Sequence, residues 1–427
     1  MKKTIAVILA AGRGTRMKSD TPKVLHEILG KPMISYVTGA VSGAAVKDIV
    51  VVTGFGSDKV KDFFHGTKVK TAVQKRLLGS ADAVSAARRE ISRSSNVLVV
   101  YGDTPLVTKE TLKRLIEKHK SSGASLTLLT AVLKNPAGYG RVIRDTGGRI
   151  VKIAEESEVR EYKKEIREIN VGTCIFSQPD LLEALKDIGR DNSRREYYLT
   201  DAVKILAARQ KKVESISMEN LDEMIGINSR VELARATDVM KKRIMEELMV
   251  RGVTIEDPAT TTIYPDVSIG KDTVIYPNTI IESDVRIGAK CHIGPFARLR
   301  AGTRIGDKSE IGNFVELVRT SVAESTKVKH HTYLGDATVG KFVNIGAGTI
   351  TANYDGRNKN KTFIGDGSFI GVGAILIAPV KVGKKALVGA GAVILRGTIV
   401  KDGATMVGVP AKILRRRAGD RRKEERR

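Results

Sequence analysis

A glycine-rich turn and three charged side chains near the start of the chain predict a site for phosphate groups. The turn spans residues 9–17 (LAAGRGTRM), Lys23 follows a few residues later, and Asp103 ends a second apolar run. Glycines after a buried strand let backbone N–H groups approach phosphates. Arg16 and Lys23 can neutralise a polyphosphate, and a carboxylate such as Asp103 can hold Mg²⁺ against phosphate oxygens. The two glycines alone would equally fit an ordinary turn, because the P-loop and dinucleotide fingerprints are incomplete.

A second group of polar residues, between 329 and 361, combines histidine with several cations. It contains His330 within the run KHHTY (329–333), an asparagine- and glycine-rich run at 344–348, and a basic segment at 357–361. Histidine suits a general base because its pKa lies near neutrality. The four histidines elsewhere show no metal-ligand spacing. This stretch therefore predicts acid–base chemistry on an anionic substrate.

The C-terminal third of the chain carries an aliphatic residue at every sixth position. The register breaks at Ala323, fails between Leu317 and Ile364, and then resumes. Its members are Ile263, Ile269, Ile275, Ile281, Ile287, Ile293, Leu299, Ile305, Ile311, Leu317, Ile364, Ile370, Leu376, Val382, Val388, Ile394 and Val400. A period of six fits neither a helix nor a simple strand. It predicts a parallel coil with three short strands per turn, stacked into a triangular solenoid around an aliphatic core.

The N-terminal half alternates apolar strands with helix-compatible stretches. The predicted strands are 4–11, 48–54 and 96–101, and the predicted helices are 80–92 and 107–122. This alternation is typical of a mostly parallel, Rossmann-like α/β sheet. Such sheets bind ligands at the carboxyl ends of their strands, where the turn at 9–17 and Asp103 would lie.

A long amphipathic helix at 229–251, ending at Gly252, would connect the α/β domain to the solenoid. We therefore expect four segments. They are an α/β domain at 1–228, a linker helix at 229–252, a β-helix domain at 253–411 and a basic tail at 412–427.

Composition limits the partners of this chain of 427 residues. Its net charge of +25 favours anionic substrates. Part of that charge lies in the tail, which would bind nucleic acid or an anionic membrane surface, or would simply be a solvated end. No aromatic residues interleave with the charges for base stacking, and no apolar face is evident. The sequence contains no run of about 18 apolar residues, so no membrane span is predicted. Its two cysteines lie in different predicted domains, which predicts a reducing cytoplasm.

The first site resembles that of the sugar-1-phosphate nucleotidylyltransferases. The motif LAAGxGTRM with Pro-Lys downstream is specific for that family, and the likeness continues at Gly138-Tyr139-Gly140-Arg141 and at Gly226-Ile227-Asn228. The resemblance implies transfer of a nucleotidyl group by in-line attack at the α-phosphorus of UTP, with pyrophosphate leaving. Nucleotide contacts then fall to Leu9, Ala10, Gly12, Gly14, Gln74, Gly79 and Ser80. Sugar-phosphate contacts fall to Gly140, Glu155, Asn170 and Asn228.

The same resemblance assigns charge neutralisation to four side chains. Asp103 and Asn228 would hold Mg²⁺, Arg16 would face the leaving polyphosphate and Lys23 the reacting phosphates. Because the attacking phosphate oxygen is already anionic, no general base is needed. Use of dTTP instead of UTP stays open at this point.

Joined to the solenoid, the chain resembles, over nearly its whole length, a family of bifunctional bacterial enzymes. These enzymes acetylate glucosamine-1-phosphate and then uridylylate the product, for peptidoglycan and lipopolysaccharide synthesis. The resemblance implies a left-handed β-helix, homotrimers, acetyl-CoA as co-substrate and His330 as the base. Arg300, Tyr333, Asn344 and Lys359 would bind the sugar phosphate. Ala347, Asn353, Tyr354 and Ala390 would lie along acetyl-CoA.

Two departures from the family pattern keep alternatives open. Val318 replaces a usual lysine, with Arg319 beside it, and Val372 replaces a serine near the coenzyme. The second hypothesis is accordingly a nucleotidylyltransferase whose β-helix only assembles or regulates it. A third is a scaffold or nucleic-acid-binding protein that uses its basic tail.

Overall fold

The computed structural model describes residues 3–156, 165–190 and 195–414. The chain forms two compact units, Met1–Met240 and Lys241–Arg427, so that the boundary falls inside one long helix. Within the described ranges, no helix combines the length and the apolar character that crossing a lipid bilayer requires. The predicted basic tail lies outside the described residues from position 415 onward.

The first unit is built on a mostly parallel sheet, as the sequence predicts. Strands follow the order β11-β7-β10-β6-β1-β4-β5, in which only β10 runs antiparallel to its neighbours, and β8 and β9 form a hairpin beside β10. A separate two-stranded ribbon pairs β2 with β3. The strands are β1 Thr4–Ala10, β2 Glu27–Ile28, β3 Lys31–Pro32, β4 Asp48–Thr53, β5 Lys70–Val73, β6 Asn96–Tyr101, β7 Leu126–Val132, β8 Arg141–Arg144, β9 Ile150–Ala154, β10 Glu168–Ser177 and β11 Val213–Ser217.

Helices cover both faces of this sheet and enclose one aliphatic core on each side. They are α1 Met33–Gly43, α2 Ser57–Phe63, α3 Ser80–Ala86, α4 Arg88–Ile91, α5 Lys109–Ser122, α6 Gln178–Asp187 and α7 Asp201–Ala208, and the long helix α8 Arg230–Val250 follows them in the chain. The helix predicted at 80–92 is two helices that meet at Ala87. The helix predicted at 107–122 starts at Lys109, because the Thr108 hydroxyl accepts the N–H of Thr111 and caps it.

The long helix predicted at 229–251 is α8, Arg230–Val250. Its apolar side is only partly buried: Ala236 and Leu248 are covered, whereas Val231 is 62% exposed. Met245 and Leu248 belong to the aliphatic core of the second unit. The helix therefore has a packing role at its C-terminal end.

The second unit is the predicted triangular prism, and each strand pairs in parallel with the strand three positions later. Face one contains β12 Thr254–Ile255, β15 Val274–Ile275, β18 His292–Ile293, β21 Glu310–Asn313, β24 Lys327–His330, β27 Asn344–Ile345, β30 Phe369–Ile370, β33 Leu387–Val388, β36 Thr405–Val407 and the antiparallel β37 Lys412–Ile413. Face two contains β13 Thr262–Ile263, β16 Ile280–Ile281, β19 Arg298–Leu299, β22 Glu316–Val318, β25 Tyr333–Gly335, β28 Ile350–Ala352, β31 Ile375–Ile377 and β34 Val393–Ile394. Face three contains β14 Ser268–Ile269, β17 Arg286–Ile287, β20 Arg304–Ile305, β23 Ser321–Val322, β26 Ala337–Val339, β29 Thr362–Ile364, β32 Val380–Val382 and β35 Ile399–Val400.

The predicted hexad residues point inward and fill the prism. Ile287 and Ile305 are 5% and 4% exposed, and Ile269 packs against the same core. We name the corners by the faces that they join: the first corner joins face one to face two, the second joins face two to face three, and the third joins face three to face one.

The six-residue register does break after Leu317, as the sequence indicates, but the coils continue through this stretch. The inward residue after Leu317 is Val322, not Ala323, and the one after Leu334 is Val339. The second corner is thus one residue shorter in two successive coils. In the next coil the same corner carries a loop, residues 353–361, before the register returns at Ile364.

We expect Ile281→Ala to lower the free energy of unfolding of the prism by about 2–5 kcal/mol, because it empties a fully buried position. The preceding residue of the same strand, Ile280, is 39% exposed, so Ile280→Ala should cost about 0.5 kcal/mol or less. Urea unfolding of the full chain, followed by circular dichroism, measures both losses. Equal losses would contradict the inward register.

Candidate active sites

The glycine-rich turn after β1 is shaped by one glycine and left open by the other. Gly14 adopts a left-handed backbone with φ of 60°, and a Cβ there would lie 2.8 Å from the Cβ of Lys23. A Cβ on Gly12 would meet nothing within 4 Å. Gly14 is therefore needed for the fold of the turn, whereas the absence of a side chain at Gly12 leaves room for a ligand.

Three of the predicted site residues meet at one cation. The Lys23 ammonium forms an ion pair with the Asp103 carboxylate and donates a hydrogen bond of 3.1 Å to the Asn228 side-chain oxygen. These residues come from a short helical turn after Pro22, the loop after β6 and the loop before α8. The Ile227 N–H donates to the Asp103 carbonyl at 2.9 Å, which ties two of these loops together.

This arrangement fits a bound divalent metal. The carboxylate of Asp103 and the amide oxygen of Asn228 are oxygen ligands of the kind that Mg²⁺ takes in proteins. They already converge on one positive charge, the Lys23 ammonium, which stands in for a cation at this position. The Lys23 and Asp103 side chains are only 12% and 19% exposed, so the charges are partly shielded from water.

Glu232, in the first turn of α8, holds Asn228 in place. Its carboxylate accepts the Asn228 N–H at 2.7 Å. Burial raises the pKa of Glu232, but the N–H groups of Asn228 and Ser229 and the charge of Arg16 outweigh it, and the pKa is lowered. Arg16 is thereby placed close to the metal-ligand cluster. The sequence offered one signal for Glu232, an acidic residue in the first turn of a helix.

A cavity of about 290 Å³ opens beside Lys23 and Asp103. The predicted nucleotide residues that line it are Leu9, Ala10, Gly12, Gln74, Gly79 and Ser80. The Gln74 amide donates to the Gly79 carbonyl at 3.0 Å and to the Asp82 carboxylate at 2.8 Å, so its orientation is fixed. Asp82 was not predicted from the sequence. Gly14 and Arg16, both described, are not part of this lining.

Three of the four predicted sugar-contacting residues, Gly140, Glu155 and Asn170, form a second group at β8–β10, whereas the fourth, Asn228, lies beside Lys23. The Asn170 N–H donates to the Gly140 carbonyl at 2.9 Å, and a Cβ on Gly140 would lie 3.6 Å from a Glu155 carboxylate oxygen. Glu155 accepts the Thr200 hydroxyl at 2.8 Å. Tyr101 lines the cavity, and a Cβ on Gly172 of β10 would lie 2.8 Å from its ring. Burial raises the pKa of its phenol, and the charges of Cys174, Asp103 and Glu155 add to that rise. Sequence reasoning missed Tyr101, although it directly precedes Gly102-Asp103.

In the prism, His330 stands at the head of a column along the first corner. Each next coil places one residue of the column below it: Ala347, Val372 and Ala390. Backbone hydrogen bonds fix the stacking, from Gly348 to His331 at 3.1 Å, Gly373 to Ala347 at 2.7 Å and Gly391 to Val372 at 2.8 Å. His330 and Val372 are exposed. The predicted base and two predicted coenzyme contacts, Ala347 and Ala390, therefore share one edge.

The predicted sugar-phosphate residues of this site lie on neighbouring coils of faces one and two. Arg300 donates to the Glu316 carboxylate at 3.2 Å, and Glu316 is the register partner of Tyr333. A Cβ on Gly335 would lie 2.6 Å both from the Tyr333 hydroxyl and from the Asn353 amide nitrogen. The Tyr333 hydroxyl and the Asn353 amide therefore both lie in the space that a side chain at position 335 would occupy.

Asn344 and Lys359 complete the set of predicted sugar-phosphate residues. Asn344 pairs in register with Lys327 on face one. Lys359 lies on the loop 353–361 at the second corner and is exposed.

The structure shows the surroundings of the residues that depart from the family pattern. Val318 is 3% exposed and packs inside the prism wall. Arg319 forms two hydrogen bonds with the Asp336 carboxylate, at 2.7 and 2.8 Å, so its guanidinium is already paired. The His331 ring stacks on Phe314 at 5.0 Å between ring centroids. This gives His331 a packing role that the sequence did not reveal.

Two family models match parts of this chain. Residues 6–197 match the MobA-like NTP transferase domain family, and residues 284–319 and 361–396 match the bacterial transferase hexapeptide family of six repeats. The predicted fold class is thereby confirmed.

Several full-length relatives carry the name "Bifunctional protein GlmU". One from Carboxydothermus hydrogenoformans is 45% identical over 90% of this chain and 93% of its own length. One from Fervidobacterium nodosum is 43% identical over 98% of both chains. One from Geobacillus sp. is 44% identical over 92% of this chain and 93% of its own length.

Gly14→Ala should destabilise the first unit by about 1–3 kcal/mol, because alanine is strained at positive φ and its Cβ would collide with Lys23. Gly12→Ala is the matched control and should leave the melting temperature unchanged, since space is open there. Thermal unfolding of both variants without ligand measures the difference. A larger loss in Gly12→Ala would show that the turn is shaped otherwise.

Proposed function

The chain belongs to the family of bifunctional GlmU proteins, and we propose that it makes UDP-N-acetylglucosamine in two steps. It acetylates glucosamine-1-phosphate with acetyl-CoA, and it then transfers the uridylyl group of UTP to the N-acetylated product, releasing pyrophosphate. The observation that carries the second step is the convergence of Asp103 and Asn228 on one cation beside the cavity.

Uridylyl transfer is catalysed by position and charge. A phosphate oxygen of the sugar phosphate attacks the α-phosphorus of UTP, and the bond to the β-phosphate oxygen breaks. Asp103 and Asn228 would hold Mg²⁺, which neutralises phosphate charge when bound. Lys23 supplies a further positive charge to the reacting phosphates, and Arg16 supplies one to the leaving pyrophosphate. Gln74, Gly79 and Ser80 orient the base of the nucleotide from the cavity wall.

The group on β8–β10 would hold the sugar phosphate for this attack. Gly140, Glu155 and Asn170 are close to one another, and Gly172, on the same strand as Asn170, lies against the ring of Tyr101 in the cavity wall. A carboxylate and an amide suit the hydroxyl groups of a sugar, because they can accept and donate hydrogen bonds. This geometry favours a short path between the two bound substrates.

Acetyl transfer takes place at the first corner of the prism. The amine of glucosamine-1-phosphate attacks the thioester carbonyl, His330 removes its proton, and the C–S bond breaks to release coenzyme A as the thiol. The exposed position of His330 at the head of the column lets its ring reach a substrate. Ala347, Asn353, Tyr354 and Ala390 would lie along the coenzyme. Arg300, Tyr333, Asn344 and Lys359 would bind the sugar phosphate.

We infer that the prisms assemble as homotrimers, with acetyl sites between neighbours. The hexapeptide repeats support this. The outward positions of the lower coils are also apolar, since Ile350, Phe369 and Leu387 are 43%, 49% and 41% exposed. Sedimentation equilibrium of the full chain measures the assembly.

For the segments we propose the boundaries 1–228, 229–252, 253–411 and 412–427. We also propose that the protein works in a reducing cytoplasm. Cys174 and Cys291 are both buried, free thiols in different units, which a reducing compartment suits.

A second candidate function is uridylyl transfer alone, with a prism that only assembles the protein. Two observations favour it. Val318, which replaces a usual lysine, is buried, and the Arg319 guanidinium is paired with Asp336, so that neither position offers a free cation to the acetyl site. Release of free thiol from acetyl-CoA in the presence of glucosamine-1-phosphate separates the two. No release at any substrate level would leave uridylyl transfer as the single activity.

His330→Ala should abolish acetyl transfer and leave uridylyl transfer nearly intact, whereas Asp103→Ala should do the reverse, because the sites lie on separate units. The matched control is His331→Asn. Asparagine tolerates the left-handed backbone of position 331, and the imidazole there stacks on Phe314 rather than serving as base. Thiol release and pyrophosphate release measure the two activities. Loss of both activities in one folded variant would refute independent sites.

The nucleotide preference is tested by pyrophosphate release with UTP, dTTP, CTP, ATP and GTP as donors to N-acetylglucosamine-1-phosphate. UTP should give the highest kcat/KM. Equal or better use of dTTP would instead point to a thymidylyltransferase. Chelation of divalent metal before the assay should stop the reaction with every donor, and added Mg²⁺ should restore it.

A further inference from the structure

The loop 353–361 is the one long excursion from the described coils of the prism. It leaves face two after β28 and enters face three at β29, at the second corner. Asn353, Tyr354 and Lys359 are on it, so that three proposed substrate contacts depend on its shape. The loop closes on itself through an antiparallel bridge between Tyr354 and Lys359, and the Asn360 N–H donates to the Asn353 carbonyl at 2.7 Å.

Asp355 is the centre of this loop. One of its carboxylate oxygens accepts the N–H of Arg357 at 3.0 Å and the N–H of Asn358 at 2.7 Å. The other accepts the side-chain amide of Asn360 at 3.0 Å. These bonds fix the backbone on both sides of Lys359. The Asn358 and Arg357 N–H groups and the Asn360 amide hold the pKa of Asp355 far below its usual range, so the carboxylate is charged under assay conditions.

Arg396 connects the loop to the body of the prism. It follows β34 at the same second corner, two coils further along the chain, and its guanidinium pairs with the second Asp355 oxygen at 3.2 Å. The Asp355 side chain is 23% exposed and that of Arg396 is 56% exposed. The pair therefore bridges the loop across one intervening coil.

The start of the loop is held from the other side. The Asn353 amide donates to Asp336 at 2.5 Å, and Asp336 is itself fixed by the paired guanidinium of Arg319. The loop thus has two carboxylate anchors on the second corner, Asp336 above and Asp355 below. Asp355 is the anchor that constrains Lys359, because its hydrogen bonds span residues 357–360.

We propose that Asp355, anchored by Arg396, is a positioning residue of the acetyltransferase reaction that holds Lys359 in place for the phosphate of the acceptor sugar. The inference rests on the proposed acetyl transfer. It adds a role for two residues that touch neither the substrate nor the reacting atoms. Loss of either one should raise the KM for glucosamine-1-phosphate, because Lys359 would no longer be pre-positioned.

The test is a kinetic comparison of full-length variants, in which thiol release gives kcat and the KM of each substrate. Asp355→Ala should raise the KM for glucosamine-1-phosphate by about tenfold or more, because several charge-assisted bonds are lost. Arg396→Met should raise it by about two- to fivefold, as expected for one exposed ion pair. Arg396→Lys should restore most of the loss. In each case kcat should change less than KM.

Asp402→Ala is the matched control. Asp402 also accepts a backbone N–H at a corner, from Lys384 at 2.8 Å, but it lies away from the loop. This variant should keep the wild-type KM for both substrates. Uridylyl transfer and the melting temperature, measured on every variant, detect general damage to the fold.

A double variant adds an independent readout. If Arg396 acts through Asp355, then Arg396→Met should have little further effect on the KM of Asp355→Asn. If the two substitutions raise the KM for glucosamine-1-phosphate additively, Arg396 does not act through Asp355. An unchanged KM for glucosamine-1-phosphate in Asp355→Ala would overturn the proposal itself. Should Asp355→Ala fail to fold, the comparison of Arg396→Met with Arg396→Lys decides, because no change in either overturns it. Absence of thiol release from the wild type overturns the proposed acetyl transfer, and this inference with it.

Discussion

The prism depends on parallel stacking, because one coil of three short strands buries only about three aliphatic side chains. A strand such as β16 places Ile281 inside and Ile280 outside, so no single coil can bury its apolar surface alone. Backbone hydrogen bonds between coils, together with the continuous core, supply what each coil lacks. The core must therefore run unbroken from Val253 to Met406, as it does.

Stacking also explains how the acetyl site is assembled. Residues that are 17 or 18 positions apart in sequence become neighbours on one face, about 4.8 Å apart in the hydrogen-bonding direction. Glu316 pairs in this way with Arg298 and with Tyr333, which are 18 and 17 positions away, and Arg300 donates to Glu316 diagonally from 16 positions away. The α/β unit brings distant residues together differently, because the loops at the carboxyl ends of its strands lie side by side. In this way Asp103 is placed beside Lys23. Each unit therefore builds its site with the geometry that its own fold repeats.

The sequence predicted the inward residues, the strands β1, β4 and β6 and the nearness of Asp103 to the glycine-rich turn, because each follows from local periodicity or from a general rule of sheets. It could not reveal that Lys23 contacts both Asp103 and Asn228, since this depends on three loops that are distant in sequence. Nor could it reveal the stacking of His331 on Phe314. Both residues occupy corners, where the inward pattern carries no information.

The break in the register at Ala323 has the same origin. Inward positions are six residues apart across the third corner, and across the first corner from Ile275 onward. The second corner has five between Leu317 and Val322, five between Leu334 and Val339, and thirteen between Thr351 and Ile364. A fixed period fails at such a corner although the coils continue.

The same three irregular turns carry Arg319, Asp336 and the loop of Asp355 and Lys359. A corner can change in length while the inward residues on either side of it keep their places, as Leu317 and Val322 do. Variation confined to one corner is accordingly the way in which a regular prism can acquire an irregular binding loop. The residues that anchor this loop belong to the same corner, because the coils above and below it are the nearest fixed structure.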